Sequence, residues 1–300
     1  MIDESGGAID YQEQGSGPTI VLLPGSCSTG AAWRPVIAAW NDRFRTVTTS
    51  LLGYGGTAER RTAADPSIGH EAAVAEAVIG RALDRVPGDR VPGDRVPGGR
   101  VHLIGHSFGG LVAVAVALRR RVPLASLTIV EAPAVELLHD QGEARLYEDF
   151  RRMTDAYFAA YEAGNRSAIA AMIDFYGGSG TFASWPERVR AYAVETTPVN
   201  ILDWASAFGF PLTSATLATV DLPTLVLCGG DSHPAARRAN ALLARCLNGP
   251  FQPIDSAAHF MISTHPAEVA RFVGDHVDRC EARAVSAPPR RFHVGRPSRA

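Results

Sequence analysis

Short, almost continuous apolar runs alternate along this chain with stretches whose apolar positions recur at helical spacing. Residues 19–23 (Thr-Ile-Val-Leu-Leu) follow a Gly-Ser-Gly-Pro turn and read as a strand buried on both faces. Residues 9–14, 44–49, 101–104, 124–130, 224–228 and 251–254 read as further strands. Between them, residues 33–40, 65–83, 111–118, 234–247 and 266–280 carry helical patterns, several with proline at the start. Strands that alternate with helices predict an α/β fold: a mostly parallel, doubly wound sheet covered on both faces.

Residues 134–218 break that alternation and read as a helical insertion. Leu146, Phe150, Met153, Tyr157 and Tyr161 are spaced four, three, four and four apart, which makes one apolar stripe on a helix. Thirteen of the 23 aromatic residues fall between Tyr147 and Phe210. Core packing accounts for Leu146, Phe150 and Tyr157, whereas Trp185, Trp204, Phe208 and Phe210 are candidates for the roof of an apolar substrate pocket. Residues 1–133 and 219–280 then form the main body. Residues 86–100 repeat Val-Pro-Gly-Asp-Arg, with one change in the third copy, and read as a surface loop lengthened by duplication. Residues 281–300 lack apolar periodicity and read as a disordered basic tail.

Composition narrows the chemistry. All 29 basic residues are arginine, so a Schiff base, a Ser-Lys dyad and a lysine-bearing phosphate loop are excluded. The last twenty residues carry five arginines and one glutamate, a charge of +4; with a total of −2, residues 1–280 carry −6, the wrong sign for binding nucleic acid. Four cysteines lie far apart, with neither metal-site spacing nor a dense disulfide framework. No apolar run approaches a membrane span, and the acidic start Met-Ile-Asp-Glu-Ser has no signal-like apolar stretch, so the expectation is a cytoplasmic protein without membrane contact, a monomer or homodimer acting on a small molecule.

Gly105-His106-Ser107-Phe108-Gly109 carries the chemistry, because it falls where a strand gives way to a helix. That G-x-S-x-G context describes a nucleophile elbow, which lifts a serine hydroxyl above the carboxyl edge of a sheet. A serine hydroxyl needs a base. Of the nine histidines, His259 stands on the loop after the last strand, level with the elbow, whereas His265 starts a helix and His106 should turn away beneath the sheet. Asp231, two glycines beyond the strand at 224–228, is the candidate acid that orients the base; Glu131, at the end of the preceding strand, is its rival and is otherwise expected only at the pocket rim. The order Ser, Asp, His resembles the α/β-hydrolase superfamily over about residues 8–280. That resemblance implies a cap formed by residues 134–218 and an oxyanion hole made by the backbone amides of Phe108 and Ser26, with the Ser26 hydroxyl a further possible donor. Where the family often has His-Gly in this loop, the chain has Pro24-Gly25.

The expected reaction is hydrolysis of a small, mostly apolar carboxylic ester through an acyl-serine, with no cofactor and no metal. Serine in place of an aspartate nucleophile disfavours the haloalkane dehalogenase and epoxide hydrolase branches. Carbon–carbon bond hydrolysis, thioester hydrolysis or acyl transfer, and cofactor-free perhydrolysis use the same triad. A ligand-binding receptor or an idle scaffold would be a different class, and would have no need of the complete set Ser107, Asp231 and His259.

Overall fold

The computed structural model describes residues 1–4, 6–84 and 99–286. Two of the three repeats, part of the third, and the tail from 287 lie outside these residues. Among the described residues, β1 (Ile2–Glu4) and β2 (Gly7–Ile9) form a small antiparallel ribbon. The main sheet holds β3 (Gln12–Gln14), β4 (Thr19–Leu23), β5 (Arg45–Thr48), β6 (Val101–His106), β7 (Leu124–Val130), β8 (Thr224–Gly229) and β9 (Phe251–Ile254). Their order is β3-β5-β4-β6-β7-β8-β9, parallel except for the antiparallel edge strand β3. The single strand expected over 9–14 is divided, because the Asp10 amide donates to the Thr57 hydroxyl while its carboxylate accepts from Ser50 Oγ and the Gly56 amide.

Alternation along β4 sets the two layers: Val21 and Leu23 join one core, Ile20 and Leu22 the other. The first core is roofed by α2 (Ile68–Asp84), α3 (Phe108–Arg119) and α11 (Pro234–Cys246). The second lies under α1 (Arg34–Ala39), α12 (Met261–Thr264) and α13 (Pro266–Ser286). Burial on both faces is why β4, β6, β7 and β8 read as unbroken apolar runs. Helix α13 runs six residues past the expected end at Cys280, so 281–286 are helical and not part of a tail, and Glu281 pairs with Arg100.

Between β7 and β8 come seven helices: α4 (Val135–Asp140), α5 (Ala144–Glu162), α6 (Ile169–Gly177), α7 (Thr181–Ser184), α8 (Glu187–Glu195), α9 (Thr197–Phe208) and α10 (Ser214–Leu217). Phe150, Tyr157, Ile169, Tyr176 and Trp204 from this segment belong to the same core as α3.

The turn from β6 into α3 is the tightest place in the fold. A Cβ on Gly105 would stand 2.1 Å from the Gly109 carbonyl oxygen, and one on Gly109 would stand 2.2 Å from that of Pro24. Both obstacles are backbone, which cannot swing aside. Gly109→Ala should therefore cost at least about 3 kcal/mol, as a severe overpacking substitution does; thermal melting checks this, and a variant that melts with the parent contradicts the packing described.

Candidate active site

Ser107 occupies the elbow at φ 53°, ψ −127°, a region that side chains rarely adopt. Its amide donates to the Val130 carbonyl at 2.9 Å, and its carbonyl accepts from Gly110 at 2.8 Å as α3 begins. The strain is held from both sides by sheet and helix, and the hydroxyl is presented to His259. His259 Nε2 lies 2.9 Å from Ser107 Oγ, and Nδ1 lies 2.8 Å from Glu131 Oε1.

Glu131 is fully buried and not at a rim. Its Oε2 accepts from the Gly229 amide at 2.9 Å, Ser232 Oγ at 2.6 Å and Cys228 Sγ at 3.2 Å. Burial by itself would raise its pKa, but the His259 and Ser232 hydrogen bonds and the Gly229 amide hold the carboxyl below the ordinary value. An ionised carboxylate only accepts, so Nδ1 of His259 carries its proton and Nε2 is left to accept from the serine hydroxyl.

Asp231, the sequence's candidate acid, is not there. Its side chain is exposed and its amide donates to the Ala257 carbonyl at 2.8 Å. The loop after β8 thus supplies donors that hold the acid, through Gly229 and Ser232, while the acid itself comes from the end of β7. Glu131 takes φ 49°, which turns its side chain across to that loop. Ser232 was missed because nothing in its sequence setting separates it from a helix-capping serine.

His106 is buried and its Nε2 donates to the His259 carbonyl at 2.9 Å, bracing the loop that carries the base. Burial, then the neighbouring His259, pull its pKa down to about 3, so it stays neutral. His265 hydrogen-bonds to Thr264 at the start of α13, away from Ser107.

Two cavities meet at Ser107, His259, Ser26, Trp185 and Phe260. The compact one, about 50 Å³, is lined also by Phe108, Met172, Ile173, Tyr176, Asn200, Asp203 and Trp204. The other, about 920 Å³, spreads over Pro186, Val189, Tyr192 and Ile262. Of the four aromatic residues considered for a pocket roof, Trp185 and Trp204 line the compact cavity. Phe208 and Phe210 do not: Phe208 stacks behind Trp204 with ring centroids 5.6 Å apart, under the Arg151 guanidinium, and both pack on the core. No three histidine, cysteine, aspartate or glutamate side chains converge as metal ligands among the described residues, and no described helix is long and apolar enough to cross a membrane.

Ser26 and Phe108 both line the compact cavity beside Ser107, but the Ser26 hydroxyl is engaged elsewhere: it donates to Asp203 Oδ2 at 2.6 Å. Only the Ser26 amide is left for an oxyanion. Asp203 also accepts from Tyr54 at 2.7 Å and from Arg61 Nη1 at 2.8 Å, so that it ties α9 to the loops after both β4 and β5. Arg61 is flanked in turn by Glu59 at 2.8 Å and by Glu71 at 3.3 Å. One guanidinium among three carboxylates leaves excess negative charge, two of these carboxylates being wholly buried. Burial accordingly pushes the Glu71 carboxyl up to about 8.

A profile of the alpha/beta hydrolase family matches residues 20–272, and the chain belongs to that family. Among curated relatives, a haloalkane dehalogenase 2 of Mycobacterium tuberculosis is 32% identical over 119 residues, covering 39% of this chain and 36% of the relative. A pimeloyl-[acyl-carrier protein] methyl ester esterase of Vibrio vulnificus is 27% identical over 176 residues, covering 53% and 59%. The chain thus spans less than two thirds of the length of either. The solved structure of a thermophilic esterase from Thermogutta terrifontis superposes with a TM-score of 0.66 at 21% identity, over 91% of this chain and 93% of that one.

Two expectations follow. Glu131→Gln should lower kcat on an aryl ester by roughly 10³- to 10⁴-fold, since an amide favours the wrong imidazole tautomer, while Asp231→Asn should stay within about twofold; steady-state rates that reverse the two would return the role to Asp231. For Glu71, the folded pKa lies above the ordinary 4.5, so its protonated form stabilises the fold below that value and the benefit is lost as pH rises through about 8. Glu71→Gln should therefore narrow the difference between melting temperatures at pH 5 and pH 8, and an unchanged difference would show that Glu71 is ionised throughout.

Proposed function

We propose that this protein is a serine hydrolase that cleaves a small, mostly apolar carboxylic ester through an acyl-serine intermediate. The observation that carries the proposal is the continuous chain of contacts from Ser107 Oγ through His259 to Glu131, at 2.9 and 2.8 Å, inside a largely apolar cavity. His259 Nε2 takes the proton as Ser107 Oγ attacks the ester carbon, and Glu131 stabilises the imidazolium that forms. The negative oxygen lies against the amides of Ser26 and Phe108, the latter at the positive end of α3. His259 then passes its proton to the departing alcohol. A water molecule repeats the sequence against the acyl-serine, releasing the acid and restoring the hydroxyl.

The esterase relative supports this reading, and the dehalogenase relative bears on it less. Displacement of a halide by the aspartyl-ester route needs a carboxylate nucleophile, and position 107 holds a hydroxyl activated by a base. A small-molecule substrate, action without a cofactor, and a helical cap over residues 134–218 belong to the same proposal; Trp185 and Trp204 from that segment line the cavity.

Incubation with a fluorophosphonate followed by peptide mapping should place the label on Ser107, and both labelling and turnover of a chromogenic ester should disappear in Ser107→Ala with melting unchanged. Labelling of another serine, or an active Ser107→Ala protein, would refute the assignment.

A further inference from the structure

Tyr176, on α6, stands out among the buried tyrosines. Tyr54 donates to Asp203 and Tyr157 donates to Asn200 at 3.1 Å. The Tyr176 hydroxyl is buried and has no hydrogen-bond partner among the described residues, although the residue is only 5% exposed and its ring lies 4.2 Å from that of His259. An unpaired buried hydroxyl costs about 1–3 kcal/mol, and of the six buried side-chain polar atoms without a hydrogen-bond partner among the described residues, that of Tyr176 is the one whose residue lines a cavity at Ser107. Burial, with Glu131 nearby, raises its pKa well above the ordinary value, so it remains a donor at any working pH.

The two cavities divide the substrate. The alcohol must receive a proton from His259 and then diffuse away, which requires the open compartment. The acyl group stays bonded to Ser107 while the alcohol leaves and departs as the acid only afterwards, through the compartment the alcohol has vacated; its carbonyl must face the amide of Phe108, a residue that lines the compact compartment. At about 50 Å³ against about 920 Å³, the compact space is much the smaller of the two and suits a short chain. Asn200 lines it too: its Oδ1 accepts from Tyr157, which leaves the Nδ2 amide protons as a second donor. The compact space is thus apolar in outline but provided with donors.

We propose, building on the serine-hydrolase reading, that the compact compartment is the acyl site and that Tyr176 donates a hydrogen bond to an oxygen on a short acyl chain, so that the substrates are esters of small oxygen-substituted acids. The purely apolar acyl group expected from the aromatic lining satisfies no donor there.

The isosteric pair 4-nitrophenyl methoxyacetate and 4-nitrophenyl butyrate tests this, since one differs from the other by an oxygen in place of a methylene. Tyr176→Phe should lower kcat/KM for the methoxyacetate about tenfold and leave the butyrate within about twofold; comparing each ester with itself across the two proteins cancels the difference in intrinsic reactivity. Equal losses on both esters, or none on either, would overturn the proposal. Should Tyr176→Phe fail to fold, the parent decides: its preference for methoxyacetate should exceed the ratio of the two hydroxide-catalysed rates at least about fivefold, and a preference at or below that ratio refutes the role. A parent protein that cleaves neither ester and takes no label at Ser107 would sink the serine-hydrolase reading, and this inference with it.

Discussion

The carboxylate of Glu131 is the constraint on which the site depends. Buried without solvent, it is kept ionised by His259 on one oxygen and by the Gly229 amide, the Ser232 hydroxyl and the Cys228 thiol around the other. An anion in such a place is tolerated only when its lone pairs are filled. Filling them binds the ends of β7 and β8 to the loop after β9, so the condition that makes the charge affordable also fixes the base beside Ser107. His106 closes the arrangement from the other side by holding the His259 carbonyl. The elbow strain at Ser107, the left-handed turn at Glu131 and the register of three parallel strands are parts of one geometry.

Behind this lies a second polar cluster with a different task. Asp203 reaches from α9 to the Ser26 hydroxyl and to Tyr54, and Arg61 balances it. The loop that carries the Ser26 amide is therefore tied to the helical segment that forms much of the compact cavity's lining.

Most of the sheet was legible because its central strands are buried on both faces and bounded by glycine or proline: residues 19–23 and 124–130 coincide with β4 and β7, while the half-exposed edge strand β9 was marked by the proline before it. Ser107 and His259 were legible because a motif and a topological position specify them. The acid was not. Asp231 sits where an acid is expected by family pattern, but which of two adjacent loops turns inward depends on the backbone at Glu131 and on donors contributed by Gly229 and Ser232, and no periodicity reports either. Phe208 and Phe210 were misplaced for a related reason: aromatic content marks a segment as buried, while the direction each ring takes is settled by neighbours such as Trp204 and Arg151. The Asp203, Arg61 and Glu71 cluster joins residues up to 142 positions apart, a separation that single-sequence reading does not span.

The central claim is that Ser107 becomes acylated and that His259, oriented by Glu131, drives both halves of the reaction. Rapid mixing with a chromogenic aryl ester, with quenched samples taken for intact-mass measurement, tests it most directly. The account predicts transient protein heavier by the mass of one acyl group, with the addition mapped to Ser107. Turnover without any acylated protein, or an acyl group mapped to another side chain, would contradict it.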